Sequence, residues 1–128
     1  MGKTNIGFRL LLITDSSLPE KVFLKVVYSA CKSGVKAVQL RNKILSSKDT
    51  LTLAKKIRTV TKKYKASLLI NDRLDIALLS CADGVHSPEN GIDARYIKKF
   101  GPKLFAGKST HSITSAKKAE KNGYDYLL

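Results

Sequence analysis

The chain has 128 residues, 43% of them hydrophobic and 27% charged, a composition that indicates one soluble globular domain and not a disordered protein. No apolar run approaches the roughly 18 residues that cross a bilayer, so we expect no membrane segment and no signal peptide. Lys and Arg number 24 against 10 Asp and Glu, and the net charge of +14 attracts polyanions such as nucleic acid, anionic lipid or phosphorylated metabolites.

The basic residues lie in several separate segments, among them Lys55-Lys56, Lys62-Lys63, Lys98-Lys99 and Lys117-Lys118. Lysines spaced in this way occupy the polar positions of amphipathic helices. No helix-turn-helix, zinc-finger or aromatic RNA-binding pattern accompanies them. We therefore expect solvated helix faces, no membrane partner and no specific nucleic-acid partner.

The two cysteines, Cys31 and Cys81, have no metal-ligand spacing around them. Isolated cysteines are typical of proteins in a reducing compartment, whereas structural disulfides belong to oxidising ones. We interpret both as buried thiols of a cytoplasmic protein, and a disulfide between them is the alternative.

The apolar pattern predicts strands and helices in strict alternation. The first strand is predicted at 10–13, and a helix follows from Pro19 to Gly34. Its apolar positions are Val22, Val26, Val27 and Ala30. A second, longer helix follows Ser46 and Ser47, with an apolar stripe made of Leu53, Ile57, Val60 and Tyr64. Further strands are predicted at 37–40, 67–70, 83–86, 103–107 and 124–128, and further helices at 74–78, 93–100 and 113–122.

This alternation predicts an α/β fold with a parallel sheet, and no linker divides residues 1–128 into two domains. Polar residues follow each strand, at 14–15, 39–43, 71–72, 86 and 109–111. A (β/α)8 barrel places its active site in this way, at the carboxyl ends of all its strands. A doubly wound sheet is the alternative, but the chain has no Gly-rich phosphate fingerprint to support it.

Several strand-end segments together resemble the thiamine-phosphate synthase and TenI family, which are TIM barrels of thiamine biosynthesis. The resemblance covers nearly the whole chain and depends on order and spacing, since each segment alone is weak. The segments are Leu12-Ile-Thr-Asp15, Val38-Gln-Leu-Arg-Asn-Lys43, Leu69-Ile-Asn-Asp-Arg73, Ala77-Leu78, Ala82-Asp-Gly-Val-His86, Gly107-Lys-Ser-Thr-His-Ser112 and Gly123-Tyr-Asp-Tyr126.

The resemblance implies a transferase that joins hydroxymethylpyrimidine diphosphate to thiazole phosphate and releases pyrophosphate. Such a site must stabilise a departing polyanion. We expect Lys43 to supply positive charge to the diphosphate and Gln39 to act as a neutral donor beside it. The resemblance further implies that Asn71 reaches the diphosphate, that Asp72 is a ligand of Mg2+, and that Ser109 lies near the pyrimidine and the pyrophosphate.

Other interpretations of these residues remain open. Asp72 could be only the N-cap of a helix. Arg41 alternates with Gln39 and Lys43 and is a further substrate-binding candidate, but it could instead pair with Asp15. His86 is interpreted as a barrel histidine with satisfied hydrogen bonds, and Asp83 and Asp125 as structural residues at the opposite end.

The chain departs from the synthase pattern at the position expected for a second magnesium carboxylate, which is Gly91. Glu89, Asn90 or Asp93 could replace it only if the loop shifts. This loss resembles the TenI branch, whose thiazole tautomerases need no metal. In that branch a histidine matching His111 transfers a proton, a role that suits an imidazole at neutral pH.

Length is a second departure, since a complete barrel needs at least about 200 residues. We expect an incomplete barrel of about five and a half units that ends inside its sixth strand. Its open edges favour self-association or a partner chain that completes the barrel. A non-catalytic remnant that binds phosphorylated ligands is the third functional hypothesis.

Overall fold

The computed structural model describes residues 6–14 and 17–128. Strands and helices alternate along this part of the chain. The strands are β1 (Leu12–Ile13), β2 (Ala37–Leu40), β3 (Ser67–Asn71), β4 (Gly84–Ser87), β5 (Phe105–Lys108) and β6 (Tyr126–Leu127). The helices are α1 (Glu20–Lys32), α2 (Ser47–Lys63), α3 (Leu74–Leu79), α4 (Ala94–Phe100) and α5 (Ile113–Lys121).

The strands form one parallel sheet in which each lies beside its predecessor, in the order β1 to β6. The sheet curls into a half-barrel, and the fold is therefore an incomplete (β/α)8 barrel, as predicted. Its curvature brings its two ends together across the concave face. The ring of Phe8, which precedes β1, packs edge-on against Tyr126 of β6 with 5.7 Å between centroids.

Side chains of each strand alternate between two faces of the sheet. The outer face packs against the helices and forms the core, which includes Val38, Leu40, Leu68, Ile70, Val85 and Ala106. The alternate positions form the concave inner face: Gln39, Leu69, Asn71, Gly84, His86, Gly107 and Tyr126. A Cβ at Gly107 would overlap the Tyr126 ring, so glycine is required there for this packing.

Two expectations about burial are wrong. In α1 the buried residues are Phe23, Val27 and Cys31, whereas Val22 and Val26 are each 44% exposed. The buried stripe is shifted by one position because the bulky Phe23 ring enters the core. Cys81 is exposed, in a left-handed conformation (φ 55°) after α3, and both cysteines are free thiols.

The first strand is shorter than predicted, and Leu10 before it is 66% exposed. None of the helices in the described ranges is long and apolar enough to cross a membrane.

Two aspartates join neighbouring strands at the amino end of the sheet. Asp83 precedes β4; its carboxylate accepts the N–H of Leu68 in β3 at 2.8 Å and pairs with Arg58 of α2 at 2.7 and 3.2 Å. Asp125 precedes β6; its carboxylate accepts the N–H of Ala106 in β5 at 2.8 Å and pairs with Lys98 of α4 at 2.6 Å. Both residues are structural, as predicted.

Candidate functional site

The loop after β2 carries Lys43 and is shaped by two short polar side chains. The hydroxyl of the buried Thr14 accepts the N–H of Arg41 at 3.0 Å, which ties the ends of β1 and β2 together. The Asn42 side chain accepts the N–H groups of Ile44 and Leu45 at 2.8 and 3.0 Å. Lys43 is exposed within this turn and pairs with none of the described residues. Its ammonium is therefore available to an anion.

Gln39 is the most informative polar residue of the inner face. It lies in β2 opposite Ile13 of β1 and Leu69 of β3, and it is only 2% exposed. Its amide nitrogen Nε2 is buried and has no hydrogen-bond partner. Buried donors in folded proteins nearly always have an acceptor, and leaving one unpaired costs about 1–3 kcal/mol. This donor is consistent with an acceptor supplied by a ligand.

Asn71 and Asp72 lie at the carboxyl end of β3. The N–H of Asp72 donates to the backbone oxygen of His86 at 2.9 Å, and the residue adopts a left-handed conformation (φ 61°). Non-glycine residues in this region are uncommon and concentrate at functional sites. The Asp72 carboxylate is exposed and accepts no hydrogen bond from the described residues. The alternative N-cap interpretation is wrong, because Arg73 occupies the N-cap of α3 and no side chain caps that helix.

His86 and Ser109 are joined across β4 and β5 by a hydrogen bond. His86 Nε2 lies 2.8 Å from Ser109 Oγ, and His86 Nδ1 lies 2.9 Å from Tyr126 Oη. The Ser109 backbone N–H donates to Ser87 O at 3.0 Å. Burial, assisted by the nearby Lys108 ammonium, lowers the pKa of His86 to about 4. His86 is thus a satisfied, neutral histidine, as predicted.

Tyr126 is a site residue that the sequence interpretation missed. It lies on the inner face beside His86, and burial raises the pKa of its hydroxyl. The register that sets Gly107 opposite Tyr126 is visible only in the structure, and the sequence offered no signal beyond a tyrosine in the last predicted strand.

His111 lies on the exposed rim of the site. Its Nε2 is 3.6 Å from a carboxylate oxygen of Glu89, with 69% of the His111 side chain exposed. The two loops that follow β4 and β5 therefore meet at this pair. The structure places His111 outside the His86–Ser109–Tyr126 network.

The loop that contains Gly91 offers no carboxylate at that position. The Gly91 N–H closes a turn on Pro88 O at 2.9 Å, and a Cβ there would come within 2.7 Å of the proline ring. Asp93 caps α4, since its carboxylate accepts the Arg95 N–H at 3.1 Å. The described residues contain no group of three potential metal ligands. Asp72 is thus a single carboxylate, a donor set that suits Mg2+ only when phosphate oxygens and water complete its coordination.

Arg41 lies apart from the inner-face residues with which it alternates in the sequence. It lines a cavity of about 370 Å3 between α1 and α2, together with Phe23, Leu40 and Leu53. Leu40 belongs to the outer face of the sheet, and Phe23 and Leu53 are the helix residues that pack in the core on that side. Asp15, the alternative partner of Arg41, lies outside the described residues.

Comparisons with known proteins agree with this architecture. The family model described as thiamine monophosphate synthase matches residues 10–128. A relative from Aquifex aeolicus is 47% identical over 93% of this chain and 64% of its own length. The thiamine-phosphate synthase of Methanobrevibacter smithii is 39% identical over 96% of this chain and 59% of its own length.

A solved structure shows the same fold. The thiamine phosphate pyrophosphorylase from Pyrococcus furiosus superposes with a TM-score of 0.86 at 35% identity, over 94% of this chain and 58% of that one. The chain thus spans about three fifths of the length of the relatives it matches. On these grounds the chain belongs to the thiamine monophosphate synthase family.

Proposed function

We propose that this chain carries the diphosphate-binding residues of a thiamine-phosphate synthase-like transferase, which joins hydroxymethylpyrimidine diphosphate to thiazole phosphate and releases pyrophosphate. Family membership supports the reaction class. The observation that carries the proposal is the buried, unpartnered amide nitrogen of Gln39 on the inner face of the half-barrel. A phosphate oxygen is an acceptor that would satisfy it.

Four polar residues in or after β2, β3 and β5 suit a departing pyrophosphate. Negative charge on the leaving group grows as the C–O bond breaks, so donors and cations held in advance stabilise the transition state. Gln39 and Ser109 supply neutral donors, Asn71 supplies an amide, and the unpaired Lys43 supplies positive charge. The concave inner face would shelter the pyrimidine from water.

Asp72 is the residue that would hold Mg2+. Mg2+ is commonly bound by one or two carboxylates together with substrate phosphates, and its charge would partly neutralise the diphosphate when bound. The exposed, unpaired Asp72 carboxylate at the end of β3 fits this use. We expect the metal and the pyrophosphate to bind together.

Replacement of Gln39 by Met tests the proposed function because it should weaken ligand binding without lowering the stability of the fold. Met keeps most of the side-chain volume but removes the amide. Because Nε2 has no partner within the protein, the free energy of unfolding should not fall. Binding of pyrophosphate, measured by calorimetry, should weaken about tenfold, since a hydrogen bond to a charged group is worth about 1.5–3 kcal/mol.

Thr61→Val is the matched control, because Thr61 is a buried, hydrogen-bonded polar residue on α2, away from the site. It should lower stability and leave pyrophosphate binding unchanged. Pyrophosphate affinity in Gln39→Met equal to that of the wild type would refute the role of Gln39.

The metal role is tested by Asp72→Asn. Mg2+ should strengthen pyrophosphate binding to the wild type about tenfold or more, and this dependence should disappear in the variant. Asp75→Asn is the control, because the exposed Asp75 carboxylate lies in α3 and already pairs with Arg73 at 2.8 Å. Binding that is independent of metal in both the wild type and Asp72→Asn would contradict the magnesium role.

A second function, that of a TenI-like thiazole tautomerase, is favoured by the turn at Gly91, which lacks a carboxylate, and by the exposed His111 beside Glu89. This function needs neither metal nor pyrophosphate. It predicts that His111→Ala abolishes turnover while Asp72→Asn does not. Absence of both activities in a folded protein that still binds pyrophosphate would indicate a non-catalytic ligand-binding remnant.

A further inference from the structure

The hydrogen bonds around His86 constrain its tautomer. Both ring nitrogens have a hydroxyl partner, Tyr126 Oη at 2.9 Å from Nδ1 and Ser109 Oγ at 2.8 Å from Nε2. The ring is 2% exposed and no carboxylate bonds to it, so it is neutral. A neutral imidazole has one donor and one acceptor nitrogen. One hydroxyl must therefore donate to the ring and the other must accept from it.

The two possible arrangements leave different hydrogens without a partner. If Ser109 donates to Nε2, then Nδ1–H donates to Tyr126 and the tyrosine hydrogen needs another acceptor. If Tyr126 donates to Nδ1, then Nε2–H donates to Ser109, and the serine hydrogen is the one left over. A polar hydrogen without an acceptor is costly in a buried place and harmless beside solvent.

The surroundings of the two hydroxyls decide between these arrangements. The Tyr126 ring packs against the His86 ring at 5.6 Å, against Phe8 at 5.7 Å and against Gly107. No acceptor other than His86 bonds to Tyr126 Oη in the described part of the chain. Ser109 lies directly after β5, at the open carboxyl end of the sheet. Burial also raises the pKa of the Tyr126 hydroxyl, so this group lies away from solvent, and the unused hydrogen therefore belongs on Ser109.

We propose that Tyr126, His86 and Ser109 form a hydrogen-bond relay of fixed direction, in which Tyr126 O–H donates to His86 Nδ1 and His86 Nε2–H donates to Ser109 Oγ. The relay keeps the Ser109 hydroxyl hydrogen free to donate to an acceptor at the carboxyl end of the sheet. His86 and Tyr126 are then positioning residues that act through Ser109. The identity of the acceptor as a phosphate oxygen rests on the proposed function, whereas the direction of the relay does not.

The direction is tested first on the protein without ligand. 15N NMR of the histidine ring nitrogens distinguishes the two tautomers, and His86→Gln assigns the signals by removing them. We expect a proton on Nε2 of His86 and none on Nδ1. In Tyr126→Phe the donor to Nδ1 is lost, so the ring should become a mixture of tautomers. A wild-type ring protonated on Nδ1 would overturn the relay.

Coupling to the ligand is tested by a double-mutant cycle with pyrophosphate as the probe. Ser109→Ala should weaken binding about tenfold and Tyr126→Phe about threefold or more. Tyr126→Phe should have no further effect in the Ser109→Ala background, because the tyrosine acts only through the serine. Equal losses in both backgrounds would show that Tyr126 has a merely structural role and would overturn its positioning role.

Replacement of His86 by Gln tests whether an amide N–H can take over the role of the imidazole Nε2–H. Gln can place an amide N–H near the position of Nε2, so His86→Gln should retain much of the affinity that His86→Leu loses. Equal losses in the two variants, with unchanged circular dichroism, would contradict the relay. If the wild type binds no pyrophosphate, the proposed function and the ligand-directed role of Ser109 are both refuted, while the NMR measurement still decides the direction of the relay.

Discussion

At the scale of single residues, Gln39 and His86 are two buried polar side chains that differ in their hydrogen bonds. Both are 2% exposed and both lie on the inner face. Each polar atom of the His86 ring has a partner within the protein, whereas the Gln39 amide nitrogen has none. The first arrangement stabilises the folded chain, whereas the second leaves a buried donor that an added acceptor could satisfy, as we propose for a phosphate oxygen.

Burial of neutral His86 predicts a pH dependence of stability. The pKa of His86 is about 4 in the folded protein and about 6.5 in an unfolded chain, so the unfolded state binds the proton first as the pH falls. The contribution of neutral His86 to the free energy of unfolding is therefore complete above about pH 6.5. It is lost progressively towards pH 4, at up to about 1.4 kcal/mol per pH unit. Urea denaturation across this range, without added metal, measures it.

Comparison of two variants separates His86 from other titrating groups. His86→Gln should flatten the profile between pH 4 and 6.5, whereas Thr61→Val, which changes a buried residue without a titrating group, should lower stability equally at every pH. Parallel profiles for the wild type and His86→Gln would show that the folded protein tolerates a charged His86.

At the scale of elements, one arrangement of side chains occurs twice, and it joins β3 to β4 and β5 to β6. An aspartate that precedes β4 or β6 accepts an N–H of the previous strand and pairs with a basic residue of a helix. Loss of the carboxylate leaves a buried N–H without an acceptor and a basic side chain without its partner. These contacts fix the start of each strand, at the end of the sheet opposite to the candidate site.

Asp83→Ala should lower the free energy of unfolding by about 2–3 kcal/mol, because the N–H of the fully buried Leu68 loses its acceptor together with the Arg58 pair. Asp75→Ala is the comparison: its pair with Arg73 is 38% and 59% exposed, so the loss should be about 1 kcal/mol or less. Chemical denaturation measures both. Similar losses would show that the Asp83 contacts do not carry the stability assigned to them.

At the scale of the whole molecule, an open half-barrel combines exposed edges with a large positive charge. β1 and β6 are the outermost strands of the described sheet, and each pairs with one neighbour only. Ile13 in β1 is 47% exposed and Leu10 before it 66%. Exposed apolar edge strands favour association with other chains, while a net charge of +14 opposes it.

We therefore expect the 128-residue chain, expressed alone, to self-associate, and to do so more strongly as salt screens its charge. Light scattering from low salt to about 0.5 M salt, where the Debye length falls to a few ångströms, measures this. Leu10→Lys should reduce association, and Thr59→Lys, which adds the same charge at an exposed position of α2, serves as the control. A monomer at every salt concentration would contradict the expectation.

The alternation of apolar strands and amphipathic helices determined the fold class, the chain order and the carboxyl-end position of the site, because these depend on local periodicity. The family resemblance pointed to Asn71, Asp72 and Ser109, each of which directly ends or follows a strand, whereas Gln39 lies one residue before the end of β2. Asp83 and Asp125 could be assigned to the opposite end of the sheet because both lie at or near the start of a predicted strand, but their partners could not be predicted.

Tertiary structure alone decided which of these groups already have partners. The sequence cannot show that Gln39 lacks an acceptor while His86 bonds to Ser109 and to Tyr126, which lies 40 positions away. Nor can it show that Arg41 leaves the inner face, that Phe23 displaces Val22 from the core, or that Cys81 is exposed. The periodicity of the sequence shows which residues share one face of a helix or strand. Which residue a side chain contacts depends on the curvature of the sheet, because this curvature brings distant strands together.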